Sequence, residues 1–388
     1  MTDLCPSPGM RPSSRHLRRR FRTGALGALL YVLAAGTNAG TAAPLRLNQL
    51  QYVGSHNSYH AGLAPGEAAV LKTFDPALFA ALDYRHPPLA RQFDDGVRQI
   101  ELDIYADAAG GRYAHPAIAA QVAKAGLPPD PPFAAADVMK RPGFKVMHMQ
   151  DLDQRSTCQP RVACLREVRA WSKAHPRHLP LFVLLETEQS PQHLPFPAVS
   201  PEPFDAKTLD ALDATLRSVF AREEYLAPDD VRGGFATLNA AILAQGWPTL
   251  ESARGKVIFL LDQRVVGPAY LQGHPSLRGR VMFTNAVPGT DDAAFTELND
   301  GDADSIARLV RQGYLVRTRT DADLKEARRN DTARRDAMLA SGAQLLSTDF
   351  PAGEPAANGY AVGFPDHHPA RCNPQFAPSR CGAADLSP

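Results

Sequence analysis

Apolar runs and helical repeats alternate along most of this chain. Stretches dominated by Val, Ile, Leu and Phe fall near 50–55, 98–104, 144–149, 180–186, 256–262, 281–285, 314–318 and 343–348, and each reads as a strand. Amphipathic stretches with helical spacing lie between several of them, at 164–175, 206–220, 305–312 and 332–341. Strands separated by helices imply parallel pairing with right-handed crossovers, and eight of them fit a single closed (β/α)8 TIM barrel, an α/β fold. An open doubly wound sheet is the competing architecture, but no GxGxxG or GxxxxGK(S/T) follows any strand. Segments 107–140 and 187–205, rich in Pro, Gly and Ala, read as long loops shaping the catalytic face. The barrel is expected over 44–351, and 352–388 reads as an irregular, cysteine-bearing extension.

The first 43 residues read as a signal rather than as fold. Arg15, Arg18, Arg19, Arg20 and Arg22 precede an apolar, small-residue run over 25–35, and Thr41-Ala42-Ala43 offers a cleavage site. That run is shorter than the roughly 20 residues that a membrane span needs. Arg18-Arg19-Arg20-Phe21 also fits a twin-arginine pattern, so the sequence leaves open general secretion and twin-arginine export, to the periplasm or the medium. Removing 1–43 takes six of the 42 Lys/Arg and one of the 41 Asp/Glu, leaving 36 against 40, a formal charge of −4. A mildly acidic chain argues against a nucleic-acid partner and against strong electrostatic anchoring to anionic lipid. Four cysteines remain in two close pairs, and an oxidising compartment predicts disulfides Cys158–Cys164 and Cys372–Cys381, one of three possible connectivities.

Polar residues recur at the ends of the apolar runs. His56-Asn57 follow the first, Glu101 and Asp103 alternate with Ile100, Leu102 and Ile104, and His148 and Glu186 close two more. Period-2 alternation puts both Glu101 and Asp103 on one strand face, where two buried carboxylates need a cation or donors to stay ionised. The competing reading is an edge strand with a solvated face, which Glu186 weakens by ending another apolar run in the same way. Three carboxylates with the Asn57 amide make an oxygen-only shell, which selects Ca²⁺ or Mg²⁺ over zinc, and export favours Ca²⁺. His56 and His148, as a pair, can divide general acid and base work. His60, His175, His178, His367 and His368 read as surface or loop residues, and Trp171 and Trp247 as packing residues.

Ser55-His56-Asn57-Ser58-Tyr59, Glu101-Leu102-Asp103, the His148 strand end and Leu185-Glu186 together resemble the calcium-dependent phosphoinositide phospholipase C family, in particular its small exported bacterial members. The resemblance implies a barrel whose first half carries the chemistry, with His56 and His148 catalytic and Asn57, Glu101, Asp103 and Glu186 as Ca²⁺ ligands. It implies attack of the inositol 2-hydroxyl on phosphorus to give a cyclic phosphate, with Glu101 or Glu186 taking the proton, His56 serving as leaving-group acid and His148 as transition-state stabiliser. Arg317 or Arg319 would bind the scissile phosphate or an inositol hydroxyl, unless paired with Asp321. Where family members that prefer polyphosphorylated inositides carry lysines, this chain has Leu260 and Asp262, which favours phosphatidylinositol or a glycerophosphoinositol. A transient membrane surface and a monomeric state complete the expectation. A glycerophosphodiesterase shares the barrel and the ExD pair, but that family begins with His-Arg-Gly where this chain has His56-Asn57-Ser58. A non-catalytic inositol- or lipid-binding barrel is the alternative from a different class.

Overall fold

The structure is a computed structural model describing residues 43–388 except 136, 192, 195, 366, 367, 377–380, 383–385, 387 and 388. All of the expected signal but Ala43 lies outside the described residues. Among the described residues eleven strands are formed: β1 (Leu50–Ser55), β2 (Gln99–Tyr105), β3 (Lys145–Val146), β4 (Leu181–Thr187), β5 (Tyr225–Leu226), β6 (Val257–Leu261), β7 (Phe283–Thr284), β8 (Phe295–Glu297), β9 (Leu315–Arg319), β10 (Leu345–Thr348) and β11 (Ala370–Cys372). They share one sheet, ordered β5-β6-β4-β2-β1-β10-β9-β8 with every neighbour on that path parallel. On its far side β6 pairs with β5 through its first half and with β7 through its second. A parallel bridge from Asn285 to Phe295 then joins the β7 side to β8, so the ends of the curled sheet meet and the TIM barrel closes.

Burial on both faces is why these strands read as near-continuous apolar runs. From Leu181 to Leu185 every residue of β4 is 0 % exposed, as is every residue of β6. The surrounding helices bury one stripe each. In the helix Ala303–Gln312 that stripe is Ile306, Ala307 and Val310; Asp302 caps the start by accepting from the Ser305 N–H at 2.8 Å, and Gly313 at φ +102° ends it.

Three expectations are corrected. The stretch near 144–149 holds only the two-residue β3, which runs antiparallel to β2 as a flap on its upper end. The barrel position it leaves is filled by β8, a three-residue strand too short to announce itself in the sequence. Segment 107–140, expected as loop, contains the helix Ala117–Lys124, which buries Ile118 and Val122. The C-terminal extension contributes β11, antiparallel to β1, and the disulfides Cys158–Cys164 and Cys372–Cys381 are both formed. No helix among the described residues is long and apolar enough to cross a membrane.

Candidate functional site

The backbone leaves β1 in a sharp reversal at His56-Asn57. Asn57 takes φ +46°, in the left-handed region that asparagine tolerates better than most residues. The His56 N–H donates to the Thr348 carbonyl at 2.9 Å, keeping it beside the end of β10. Its ring Nδ1 then lies 2.7 Å from Asp349 Oδ1, and the ring is 20 % exposed. Asp349 is itself fixed: its N–H donates to Asp321 at 3.1 Å, and Arg319 Nη2 donates to its second oxygen at 3.2 Å. Burial, with the charges of Arg319, Arg317 and His148, holds the His56 pKa well below the usual histidine value against the opposing pull of Glu101.

Parallel register explains the acidic cluster. Asp103 of β2 pairs with Glu186 of β4, and paired residues in a parallel sheet share a face, so Glu101, Asp103 and Glu186 point together into the barrel mouth. One oxygen from each lies within 4.8 Å of the others. Burial and neighbouring negative charge push Asp103 and Glu186 well above the usual carboxylate range, so the cluster lacks positive charge. Burial also pushes Glu101 upward, but Arg317 and His56 outweigh it and hold it low. With Asn57 Nδ2 donating to the Tyr84 hydroxyl at 2.9 Å, the amide oxygen faces the Asp103 carboxylate with no proton between them. Turned over, the same amide donates to both Asp103 oxygens at 3.2 Å. The first orientation suits a cation held among hard oxygen donors, and the whole set fits Ca²⁺ by donor chemistry.

His148 enters from the β3 flap. Its Nδ1 lies 3.1 Å from Asp153 Oδ2, and the same oxygen is 2.8 Å from His60 Nε2. Burial alone would depress His148, but the hydrogen bond and charge of Asp153, with Asp103 and Glu188, raise its pKa to about 9. Asp153 is held far down by the two imidazoles despite its burial. The loop that carries it is pinned by the Met149–Asp153 bridge, and the Tyr105 hydroxyl donates to the His148 carbonyl at 2.8 Å.

All six residues read as catalytic or metal-binding, His56, Asn57, Glu101, Asp103, His148 and Glu186, therefore lie around the upper ends of β1, β2 and β4 and the flap. Arg317 is 2 % exposed, and both of its terminal nitrogens are engaged: it binds Glu101, Glu297 at 3.2 Å, Asn299 at 2.9 Å and Ser347 at 3.0 Å. Arg319, 15 % exposed, reaches the Asp349 carboxylate at 3.2 Å, donates from Nε to the Asp321 carbonyl at 3.1 Å, and comes only within 4.0 Å of the Asp321 carboxylate. Asp262 is half-buried near Glu297 and Arg317, and desolvation raises it to about 6. His60 and His178, expected at the surface, are 0 % and 3 % exposed: Asp153 pairs with His60 Nε2, and Ser172 with the Leu179 carbonyl engages both nitrogens of His178. His175 and His368 are exposed, and His367 lies outside the described residues. Sequence reading missed Asp349 and Asp153. Asp349 closes the apolar run 343–348 just as Glu186 closes its own, a usable signal; Asp153 sits in an irregular loop that carries none.

Comparison with known proteins agrees with this fold. The barrel superposes on the calcium-dependent phosphoinositol-specific phospholipase C of a Gram-negative Pseudomonas sp. with a TM-score of 0.51 at 18 % identity, covering 84 % of this chain and 95 % of that one. A myo-inositol complex of that enzyme gives the same TM-score and identity over 85 % and 96 %. The Ca²⁺-dependent phosphatidylinositol-specific phospholipase C of Streptomyces antibioticus is 21 % identical over 79 % of this chain and 95 % of its own, with a TM-score of 0.46. No curated protein sequence matches. The family model for Ca²⁺-dependent phosphoinositide phospholipase C matches residues 45–374, and the chain belongs to that calcium-dependent family of phosphodiesterases.

Proposed function

We propose that this protein is an exported Ca²⁺-dependent phosphoric diester hydrolase that cleaves phosphatidylinositol, or a glycerophosphoinositol, by attack of the inositol 2-hydroxyl on phosphorus. The observation that carries the reading is the meeting of two imidazoles of opposite charge preference, His56 and His148, with a three-carboxylate cluster drawn within 4.8 Å. Asn57, Glu101, Asp103 and Glu186 are the assigned Ca²⁺ ligands, and Ca²⁺ bound there lowers the hydroxyl pKa and offsets charge on the pentacoordinate phosphorus.

The remaining steps belong to side chains. With its Nδ1 hydrogen given to Asp349, neutral His56 keeps a lone pair on Nε2 and accepts the 2-hydroxyl proton as that oxygen bonds to phosphorus. His148, held protonated by Asp153, donates to the glycerol oxygen as the phosphorus–oxygen bond breaks, releasing diacylglycerol and a cyclic inositol phosphate. This order reverses the one implied by the resemblance, which gave the leaving-group proton to His56. The Arg317 guanidinium holds Glu101 below the usual carboxylate range, which weakens its hold on a proton. Arg317 is assigned as counterion to the acidic floor, and the more exposed Arg319 as the cation facing the phosphate. Acids at Asp262 and Glu297, beside a fully buried Leu260, disfavour additional ring phosphates. The two disulfides support an oxidising destination. The assigned partners are the inositol phosphodiester and a transient membrane surface, with the protein acting as a monomer.

The deciding assay incubates purified mature protein with phosphatidylinositol, its bisphosphate and glycerophosphodiesters, with Ca²⁺ or chelator, and resolves the released headgroups. Cyclic inositol phosphate from phosphatidylinositol only with Ca²⁺ is expected. Release of glycerophosphate from simple glycerophosphodiesters alone would move the assignment to a glycerophosphodiesterase.

A further inference from the structure

His86 lies between the helices Pro76–Leu82 and Leu89–Asp94, 3 % exposed, in a stretch with no regular structure of its own. Its N–H donates to the His60 carbonyl at 2.8 Å, which fixes the backbone. Both ring nitrogens are then engaged by acceptors. Nε2 donates to the carbonyl oxygen of His56 at 2.9 Å, and Nδ1 lies 2.7 Å from Glu354 Oε2. With one ring nitrogen donating to a carbonyl and the other against a carboxyl, His86 and Glu354 form a hydrogen-bonded strut, the imidazole 0 % and the carboxyl 14 % exposed.

The carbonyl that His86 grips belongs to the peptide between His56 and Asn57, the point where the chain turns into the left-handed region at Asn57. Rotation of that one peptide swings two side chains at once: the His56 ring away from Asp349, and the Asn57 amide away from Asp103. Glu354 also sits only five residues beyond Asp349, in a turn closed by its N–H on the Pro351 carbonyl at 2.7 Å. The segment following β10 therefore holds His56 from two directions, by the ring through Asp349 and by the backbone through Glu354 and His86. A cavity of about 410 Å³ lined by Tyr84, His86, Asp349 and Glu354 opens beside the strut, giving small molecules a route to it.

We propose that His86 and Glu354 are positioning residues for the His56-Asn57 peptide, setting the geometry of the proposed base and of the neighbouring metal ligand without touching substrate. The proposal rests on the phosphodiesterase reading for its kinetic consequence but not for its structural one. Misplacing a reacting group by about 1 Å costs up to about a hundredfold in rate. Glu354→Ala is accordingly expected to lower kcat by about tenfold or more with KM little changed. Glu354→Gln, whose amide reforms the contact with a neutral ring, should recover most of that loss. His86→Ala should fall at least as far, regain activity with added imidazole, and show no further loss when combined with Glu354→Ala.

The accompanying measurement is independent of turnover: ring ¹⁵N–¹H correlations of histidine-labelled protein. A hydrogen-bonded proton on His86 Nε2 is expected in the parent, and displaced His56 ring signals in Glu354→Ala but not in Glu354→Gln. A folded Glu354→Ala protein with parental His56 signals, or with displaced signals and parental kcat, overturns the proposal. A parent that shows the strut by this measurement but releases no inositol phosphate would refute the functional reading and leave the strut standing.

Discussion

Asp349 Oδ1 meets His56 Nδ1 at 2.7 Å, and these two residues stand 293 positions apart in the chain. The carboxylate fixes which imidazole nitrogen carries hydrogen and aims the other into the barrel mouth. Asp349→Asn keeps the shape and offers an amide that also donates toward Nδ1. We expect kcat to fall by about a hundredfold or more while Ca²⁺ affinity, read by thermal shift, stays within about twofold. Parental turnover in this variant would remove His56 from the role of base.

The Asp153–His148 contact predicts a pH effect of definite sign. The pKa near 9 keeps His148 protonated through neutral pH, and that elevation comes chiefly from Asp153 once burial is overcome. Asp153→Asn takes away the raising influence, so the protonated form is lost at lower pH. The alkaline limb of the kcat/KM profile should move toward acid by at least one pH unit. An unmoved limb would assign it to another group.

Burial and neighbouring carboxylates push both Glu186 and Asp103 upward, so ionising them together is unfavourable when no cation lies between them. Glu186→Gln should therefore unfold at the same temperature as the parent or higher in chelator, yet gain less from added Ca²⁺. Its half-activating Ca²⁺ concentration should rise by at least about tenfold, since affinity in oxygen-only sites follows ligand charge. Calorimetric scans with and without Ca²⁺ separate the two effects; a variant less stable in chelator would contradict the repulsion.

His178 gives a stability prediction away from the site. It is 3 % exposed, and burial lowers its pKa from 6.5 to about 4 despite a hydrogen bond to the Leu179 carbonyl. The folded form thus binds its proton less readily than the unfolded chain. The stabilisation is complete above pH 6.5, declines as pH falls, and is gone below about 4, a loss of about 3 kcal/mol. Urea midpoints measured from pH 7 to 4 should show that decline, and His178→Gln should flatten it.

The sequence was most legible where burial is two-sided. The runs that became β1, β2, β4, β6, β9 and β10 are apolar because helices cover one face and the barrel interior the other, and the polar residues interrupting them stood out for that reason. Six site residues were found through that contrast. β8 escaped because three residues cannot establish a period, and β3 was misread because an apolar run carries no direction. The supporting shell was hidden for a different reason. Asp153, His60, His86 and Glu354 reach the site from turns and loops, where no periodicity marks inward-facing positions, and their pairings cross up to 268 residues. His60 and His178 looked like surface histidines because nothing in their local sequence reveals a distant carboxylate or a neighbouring helix's serine.

β1, which delivers His56, is bordered by β10 and β11, the last two strands in the chain. At about 5–20 residues per second, translation reaches Asp349 roughly 15–60 s after His56 has been made. Through that interval β1 has open edges and His56 has no carboxylate to orient it. His56 thus takes its orientation from residues made nearly three hundred positions later, and the set of side chains around it is complete only when the final strands have paired.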